Sequence, residues 1–256
     1  MVLLLLVDLD PGLAALRPLG GFFLLRTGVP PRGPLPTLAQ VYAGQASEAY
    51  GGDALDVRVR KVTDALRAPE PRIAASVAHL GLAARLWSAA LGCAALYGRV
   101  PDLDPGLLRW DPDGGAPDDL WLTEVRPPGR DGDARALADA VLHGHLVPLA
   151  DALRARHRLA PGLLRGNAAS ALAGAARTLD TWAREHGRTD VAARARALAA
   201  GLFAHPLLAD TGTLTGTAFR RRSCCLYYRV PGGGVCGDCC FTRPPRSSPR
   251  AASGGP

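Results

Sequence analysis

The chain has 256 residues, of which 48% are hydrophobic, 5% aromatic and 21% charged, and a formal net charge of +7. That length accommodates one large domain, or a domain with a small module, around a real core, so the six cysteines are not needed as staples. Nor is the charge a nucleic-acid face: residues 220–256 hold seven arginines and one acid, Asp238, leaving +1 for the first 219 residues, and the low aromatic content argues against single strands.

Met1 to Val7 is a short apolar run with no cationic start and no small-residue cleavage site, which does not read as a signal peptide. Residues 1–36 contain Pro11, Pro18, Pro30, Pro31, Pro34 and Pro36 and predict an extended leading segment with a strand at Phe22–Leu25. Thr37 to Ala68 predicts two helices broken at Gly51-Gly52, with Val57, Val62, Ala65 and Leu66 on the inner face. A helix follows from Pro71: Ile73, Val77, Leu80, Ala84, Trp87 and Leu91 keep helical spacing, and Gly98 with Pro101 ends it. Trp87 lies on that stripe as a core residue. The apolar run Leu86–Gly98 is well short of the ~20 residues that span a bilayer. The expectation is a cytoplasmic protein whose thiols stay reduced; contact with the inner membrane is compatible with the sequence but not legible in it.

Leu107–Trp110 and Leu120–Val125 flank Asp111-Pro112-Asp113-Gly114-Gly115, a hairpin signal. Asp102, Asp104, Asp111, Asp113, Asp118 and Asp119 lack the D-x-D-x-D-G loop of a calcium site and read as solvated turns. Asp131 or Asp133 caps a helix reaching Arg158, interrupted near Pro148. On it His143 and His145 diverge, and no H-E-x-x-H is present, so no catalytic metal site is expected there. Pro161–Trp182 predicts a helix with a bend at Gly166-Asn167, Asn167 serving as a cap or inter-helix hydrogen bond, and a last helix runs from Asp190 to Phe203. Thr211–Thr217 has strand and turn composition, Leu226–Val230 predicts a short strand, and 246–256 predicts a disordered tail. The fold class is mainly α (α+β). Its parts are a Pro-rich leading segment 1–36, a helical body 37–210, a cysteine module 211–245 and the tail.

Five of the six cysteines fall between Cys224 and Cys240, while Cys93 sits in an apolar helix as a small core group. Clustering on this scale implies a metal, a cluster or disulfides. Cys224-Cys225, ten residues, then Cys236-x2-Cys239 gathers four thiolates around a glycine hairpin. Zinc sites with four cysteines usually use two C-x2-C knuckles, and here one half is a bare Cys-Cys pair. Disulfides would need cross-pairing of the adjacent Cys224 and Cys225 and an exported chain. An iron–sulfur cluster is the third reading. Arg220, Arg221, Arg222, Arg229 and Arg243 flank the motif, and Gly232-Gly233-Gly234 with Gly237 permits positive φ, so cations and N–H donors are at hand for a centre that gains negative charge on reduction.

The run from Arg221 to Cys239 resembles the carboxy-terminal signature of the FhuF-like ferric-siderophore reductases, in which C-C-x10-C-x2-C binds a [2Fe–2S] cluster. Arg72–Leu91 and Leu163–Ala176 are similar to helical segments of the same family; Arg165 stands where an aromatic is expected. The resemblance implies that Cys224, Cys225, Cys236 and Cys239 are the cluster ligands, with Cys240 spare. It further implies one-electron reduction of a ferric siderophore, hydroxamate type, with release of Fe(II). No G-x-G-x-x-G and no Walker sequence is present, so the electron is expected from an external donor protein. The competing reading is a non-enzymatic, zinc-stabilised helical interaction module.

Overall fold

The structure is a computed structural model that describes residues 11–31, 33–126 and 130–245. Its helices are α1 (Pro11–Ala14), α2 (Leu38–Tyr42), α3 (Ala54–Leu66), α4 (Pro71–Tyr97), α5 (Ala134–Leu137), α6 (Val147–His157), α7 (Pro161–Glu185) and α8 (Thr189–Phe203). The strands are short: β1 (Arg26–Thr27), β2 (Ala46–Ser47), β3 (Gly52–Asp53), β4 (Arg99–Val100), β5 (Leu108–Trp110), β6 (Leu120–Leu122), β7 (Arg130–Asp131), β8 (Gly212–Thr215) and β9 (Ala218–Arg221). This is the expected mainly α, α+β class.

α4 is the axis of the body. Pro71 occupies its first turn and Gly98, at φ 68°, closes it in the left-handed conformation that a glycine adopts without cost. The expected stripe was too narrow. Ile73, Trp87 and Leu91 are buried, and so are Ala74, Ala75, Ala83, Ala89, Ala90 and Ala94, because α3, α7 and α8 surround the helix and its alanines let them come close. A Cβ at Gly92 would come 3.0 Å from Phe23 and 3.1 Å from Leu16, so the leading segment also packs here. α4 is long and apolar enough to cross a membrane by length and composition, which the Leu86–Gly98 run alone did not suggest, and 72% of its most apolar window is buried inside the protein.

Several expectations need correction. The leading segment is not extended: α1 and a 3₁₀ turn at Arg17–Leu19 send Leu13, Leu16 and Leu19 into the core, and the strand falls at Arg26–Thr27 rather than Phe22–Leu25. β1 pairs parallel with β6, which pairs antiparallel with β5, so the predicted hairpin forms two strands of a three-stranded sheet with β6 at its centre. Within 37–68 the first helix is one short turn, capped by Thr37 and Gln40; α3 buries Ala54, Leu55 and Val59, while Val57 is half-buried and Ala65 exposed. Asp111 and Asp119 are buried rather than solvated. Asp119 Oδ1 accepts from Arg85 Nε at 2.9 Å, and Arg85, 1% exposed, also donates to the carbonyls of Gly21, Phe22, Leu24 and Pro117, which nails the leading segment to the sheet.

Asp133 caps α5 through Ala136, and the chain then runs as a π-helix over Ala138–Leu146 into α6. His145 is buried, with Nδ1 2.9 Å from Tyr42 Oη and Nε2 2.6 Å from the Leu103 carbonyl, and His143 lies against His205. α7 is unbroken through Gly166-Asn167. The predicted strand at Leu226–Val230 is a 3₁₀ turn over Tyr227–Arg229. The expectations about Met1–Val7 and about the tail 246–256 lie outside the described residues.

Candidate functional site

β8 and β9 form a hairpin in register Gly212↔Arg221 to Thr215↔Ala218. Its inner residue Phe219 is buried against Phe203 at the end of α8. From β9 the chain enters the cysteine loop, and the loop's far arm returns to β9: the Arg221 N–H donates to the Asp238 carbonyl at 2.9 Å. A tight turn, with Cys239 N–H donating to the Cys236 carbonyl at 3.1 Å, follows.

Each thiol of the C-C-x10-C-x2-C set receives a backbone N–H from the residue two positions on. Leu226 N–H donates to Cys224 Sγ at 3.2 Å and Phe241 N–H to Cys239 Sγ at 3.4 Å. Tyr227 N–H serves Cys225 in the same way, and Asp238 N–H serves Cys236. Leu226 makes the first of these turns with φ at 70°, a left-handed value rare for leucine, which is why a strand cannot form there. Of the glycines, Gly232 takes φ 72°, while Gly233 is needed for closeness: a Cβ there would lie 2.6 Å from the Tyr227 carbonyl.

The thiols are gathered pairwise. Cys225 Sγ and Cys236 Sγ are 3.6 Å apart, close to the edge of about 3.8 Å set by two sulfurs on one tetrahedral metal with bonds of about 2.3 Å. Cys224 is hydrogen-bonded to Cys225, and Cys240 to Cys239. Cys240 therefore stays beside Cys239, in a segment without a strand. Among the described residues no three His, Cys, Asp or Glu side chains converge on one point. Hydrogen bonds from Cys224 and Cys236 pull the Cys225 thiol well below the usual range, with Tyr227 N–H and the Arg221 charge adding to the effect. Sharing a proton with Cys225, then burial, pushes Cys224 and Cys236 up. Four thiols with four N–H donors fit a thiolate-ligated centre whose sulfurs carry negative charge.

The first halves of α4 and α7 grip this loop. On α4, Ser76 Oγ donates to the Cys225 carbonyl at 2.8 Å, and Glu70, at the N-cap, pairs with Arg229 at 2.5 Å. On α7, Gly162 accepts from Ser223 Oγ at 3.0 Å, and Ser170 Oγ donates to Asp238 Oδ2 at 2.5 Å. Arg177 stands 3.5 Å from Asp238 Oδ1. Asn167 bridges the two helices and the module: its Nδ2 donates to the Ser76 carbonyl at 2.9 Å, and its Oδ1 accepts from Arg221 Nη2 at 2.7 Å. The inter-helix role expected of Asn167 is thus its actual one. Phe241 is exposed and meets Tyr228 edge-on.

Two features escaped the sequence reading. His79, one turn along α4 from Ser76, is 1% exposed with neither ring nitrogen hydrogen-bonded among the described residues, and burial, with the Arg221 charge nearby, holds its imidazole down to about 3. It lines a cavity of about 140 Å³ with Leu164, Arg165 and Ala168. Asp238, the one acid among the module's arginines, is the other; that isolation in charge was its available signal. A second cavity, of about 400 Å³, lies between α4 and α7 and is lined by Phe22, Leu80, Ala84, Ser170, Gly174 and Arg177. It shares Ser170 and Arg177 with the grip on Asp238.

The family model described as FhuF 2Fe-2S C-terminal domain matches residues 221–241. Comparison with curated proteins returned no match. The match begins at Arg221 and ends at Phe241, the residues that open the loop and supply its last N–H to sulfur, so the loop gathered here around Cys224, Cys225, Cys236 and Cys239 is the segment similar to an FhuF-type [2Fe–2S]-binding carboxy-terminal domain.

Proposed function

We propose that the chain is a ferric-siderophore reductase that passes one electron at a time to siderophore-bound Fe(III) and so releases Fe(II). The observation that carries the reading is the set of four N–H to Sγ turns at Cys224, Cys225, Cys236 and Cys239, within a segment matching an FhuF-type [2Fe–2S] domain. These four are the ligands in this reading, and Cys240, which lacks such a donor from two positions on, is spare. When bound, a [2Fe–2S] cluster accepts and donates single electrons, which is the stoichiometry of ferric to ferrous conversion.

The chain's own residues supply position and access. Glu70, Ser76, Ser170 and Asn167 hold the loop fast against α4 and α7, so the ligand sulfurs need not reorganise when charge is added. Tyr227, Val235 and Phe241 are exposed apolar side chains of the loop, and in this reading an external electron donor protein meets them. The cavity between α4 and α7 has the volume of a small-ligand site, and in this reading it seats part of a hydroxamate siderophore, with residues 37–210 as the binding body and 211–245 as the cluster module. Hard-oxygen chelators hold Fe(II) less tightly than Fe(III), so reduction loosens the cargo without an acid or base from the protein. Reduced thiolates suit the cytoplasm as the compartment.

The test is anaerobic. Chemically reduced protein is mixed with a ferric hydroxamate and a ferrous-selective chelator, and Fe(II) is followed by absorbance. Ferrous formation that tracks oxidation of the cluster is expected, with none when NADPH is the sole reductant. A colourless protein carrying one zinc, or a reduced cluster inert toward every ferric chelate, would overturn the reading.

A further inference from the structure

Arginines surround the cysteine loop, yet their charges are not equivalent. Arg229 is neutralised by Glu70 and Arg222 pairs with Asp210 at 3.3 Å, the latter with both side chains mostly in water. Arg220 and Arg243 are exposed. Arg221 differs from all of them. It is 2% exposed, its Nη2 donates to Asn167 Oδ1 and the Leu163 carbonyl, and its Nε and Nη1 have no hydrogen-bond partner among the described residues.

A buried guanidinium normally arrives with its anion, because an uncompensated interior charge is strongly destabilising. Arg85 in the same protein obeys the rule, with Asp119 at 2.9 Å and four carbonyls around it. Among the described residues Arg221 has no carboxylate partner. Asp210, the nearest acid in sequence, pairs with Arg222, and Asp238 turns its side chain to Ser170 and Arg177 and gives Arg221 only its backbone carbonyl. The position of Arg221 says what stands in for an acid. It lies three residues before Cys224, its N–H binds the residue between Cys236 and Cys239, and its Nη2 reaches Cys225 through Asn167 and Ser76.

We propose that Arg221 is the internal counter-cation of the [2Fe–2S] cluster, a positioning residue whose buried charge sets how readily the cluster accepts its electron. Four thiolates and two sulfides on two ferric ions carry a net charge of about −2, and about −3 after reduction, so a fixed cation shielded from water favours the reduced form. An exposed arginine at a similar distance is screened and contributes far less. Arg221 thereby meets its own need for an anion and the cluster's need for a cation through one charge pairing. The inference rests on the cluster being held by this loop and not on what the cluster reduces.

The experiment compares holo-protein of wild type, Arg221→Gln, Arg221→Lys and Arg222→Gln by redox titration followed in the visible and by EPR. Arg221→Gln is expected to disfavour reduction at least tenfold, a fall of about 59 mV for one electron. Arg221→Lys should stay near wild type, as should Arg222→Gln. A potential unchanged in Arg221→Gln, or an equal fall in Arg221→Lys, would overturn the proposal, since the latter makes geometry rather than charge responsible. If Arg221→Gln fails to retain the cluster, Arg221→Lys decides: iron and sulfide per chain and a potential near wild type in the lysine variant support a role for the charge, and loss of the cluster in Arg221→Lys as complete as in Arg221→Gln rejects the proposal.

Discussion

Ser76 and Cys225 are 149 positions apart in the chain, and the serine hydroxyl donates to the cysteine carbonyl at 2.8 Å in the buried seam between α4 and the cysteine loop. The same hydroxyl accepts from Asn167 Nδ2 at 3.1 Å, so one oxygen joins both gripping helices to the loop. Replacing it by Ala leaves a buried carbonyl and a buried amide each short of a partner. Ser76→Ala should cost about 1–3 kcal/mol in urea unfolding and alter the visible circular dichroism of the cluster. An unchanged unfolding midpoint with an unchanged spectrum would mean the seam does not hold the loop.

Gly166 faces the loop from α7. A Cβ there would fall on Ser223 Oγ and lie 3.0 Å from Arg221 Nη2. In an exposed helix Gly→Ala stabilises by about 1 kcal/mol, but here the added methyl must push the module away. Gly166→Ala is expected to keep its far-ultraviolet helix signal while iron and sulfide per chain fall severalfold. Full cluster occupancy in this variant would show that the loop can dock elsewhere.

Cys239 and Cys240 are neighbours whose thiols touch, so either could be thought to close the centre with Cys236. The Phe241 N–H on Cys239 Sγ distinguishes them. Cys239→Ser should lose or severely change the [2Fe–2S] spectrum, whereas Cys240→Ser should keep both spectrum and ferrous release. The reverse outcome would move the ligand register by one residue.

Stability should depend on pH through two buried histidines. Burial holds His79 down to about 3, and His145 down to about 4, below the value near 6.5 of an unfolded histidine. Between these limits the unfolded chain binds more protons than the folded one, so stability is full above about pH 6.5 and is lost as pH falls through the window. Each histidine contributes up to about 1.4 kcal/mol per pH unit there. Urea midpoints of the cluster-free chain at pH 7 and pH 5 should show the fall, and His79→Leu should shrink it. Equal midpoints at both pH values would mean that His79 is hydrated or charged in the native state.

What could be read from the chain is what local chemistry announces. Pro71 and Gly98 bracket α4, Pro161 opens α7, the Asp111–Gly115 turn sits between two short apolar runs, and the cysteine spacing speaks for itself. What could not be read depends on partners far away in sequence. Asp111 and Asp119 look like any solvated acids until Arg85 and Tyr50 are brought to them. Arg221 looks like one of five flanking cations until Asn167 takes it out of water. Leu226 carries every propensity for a strand, and its left-handed turn is required only by the sulfur it must cap.

The burial of α4 has a consequence for the chain before it folds. While still emerging from the ribosome, α4 is a 27-residue apolar segment without its neighbours, the kind of stretch that membrane-insertion machinery samples. Arg85 lies near its middle, where a single charge raises the cost of insertion by about 2.5–3.5 kcal/mol. The side chain that later fastens Gly21, Phe22 and Leu24 to the sheet therefore first biases the nascent helix away from lipid and toward waiting for α3 and α7. These duties, separated in time, make position 85 intolerant of apolar substitutions that look harmless in so apolar a helix: leucine there would strip Asp119 of its buried partner and remove the central charge from a segment already long enough to span a membrane.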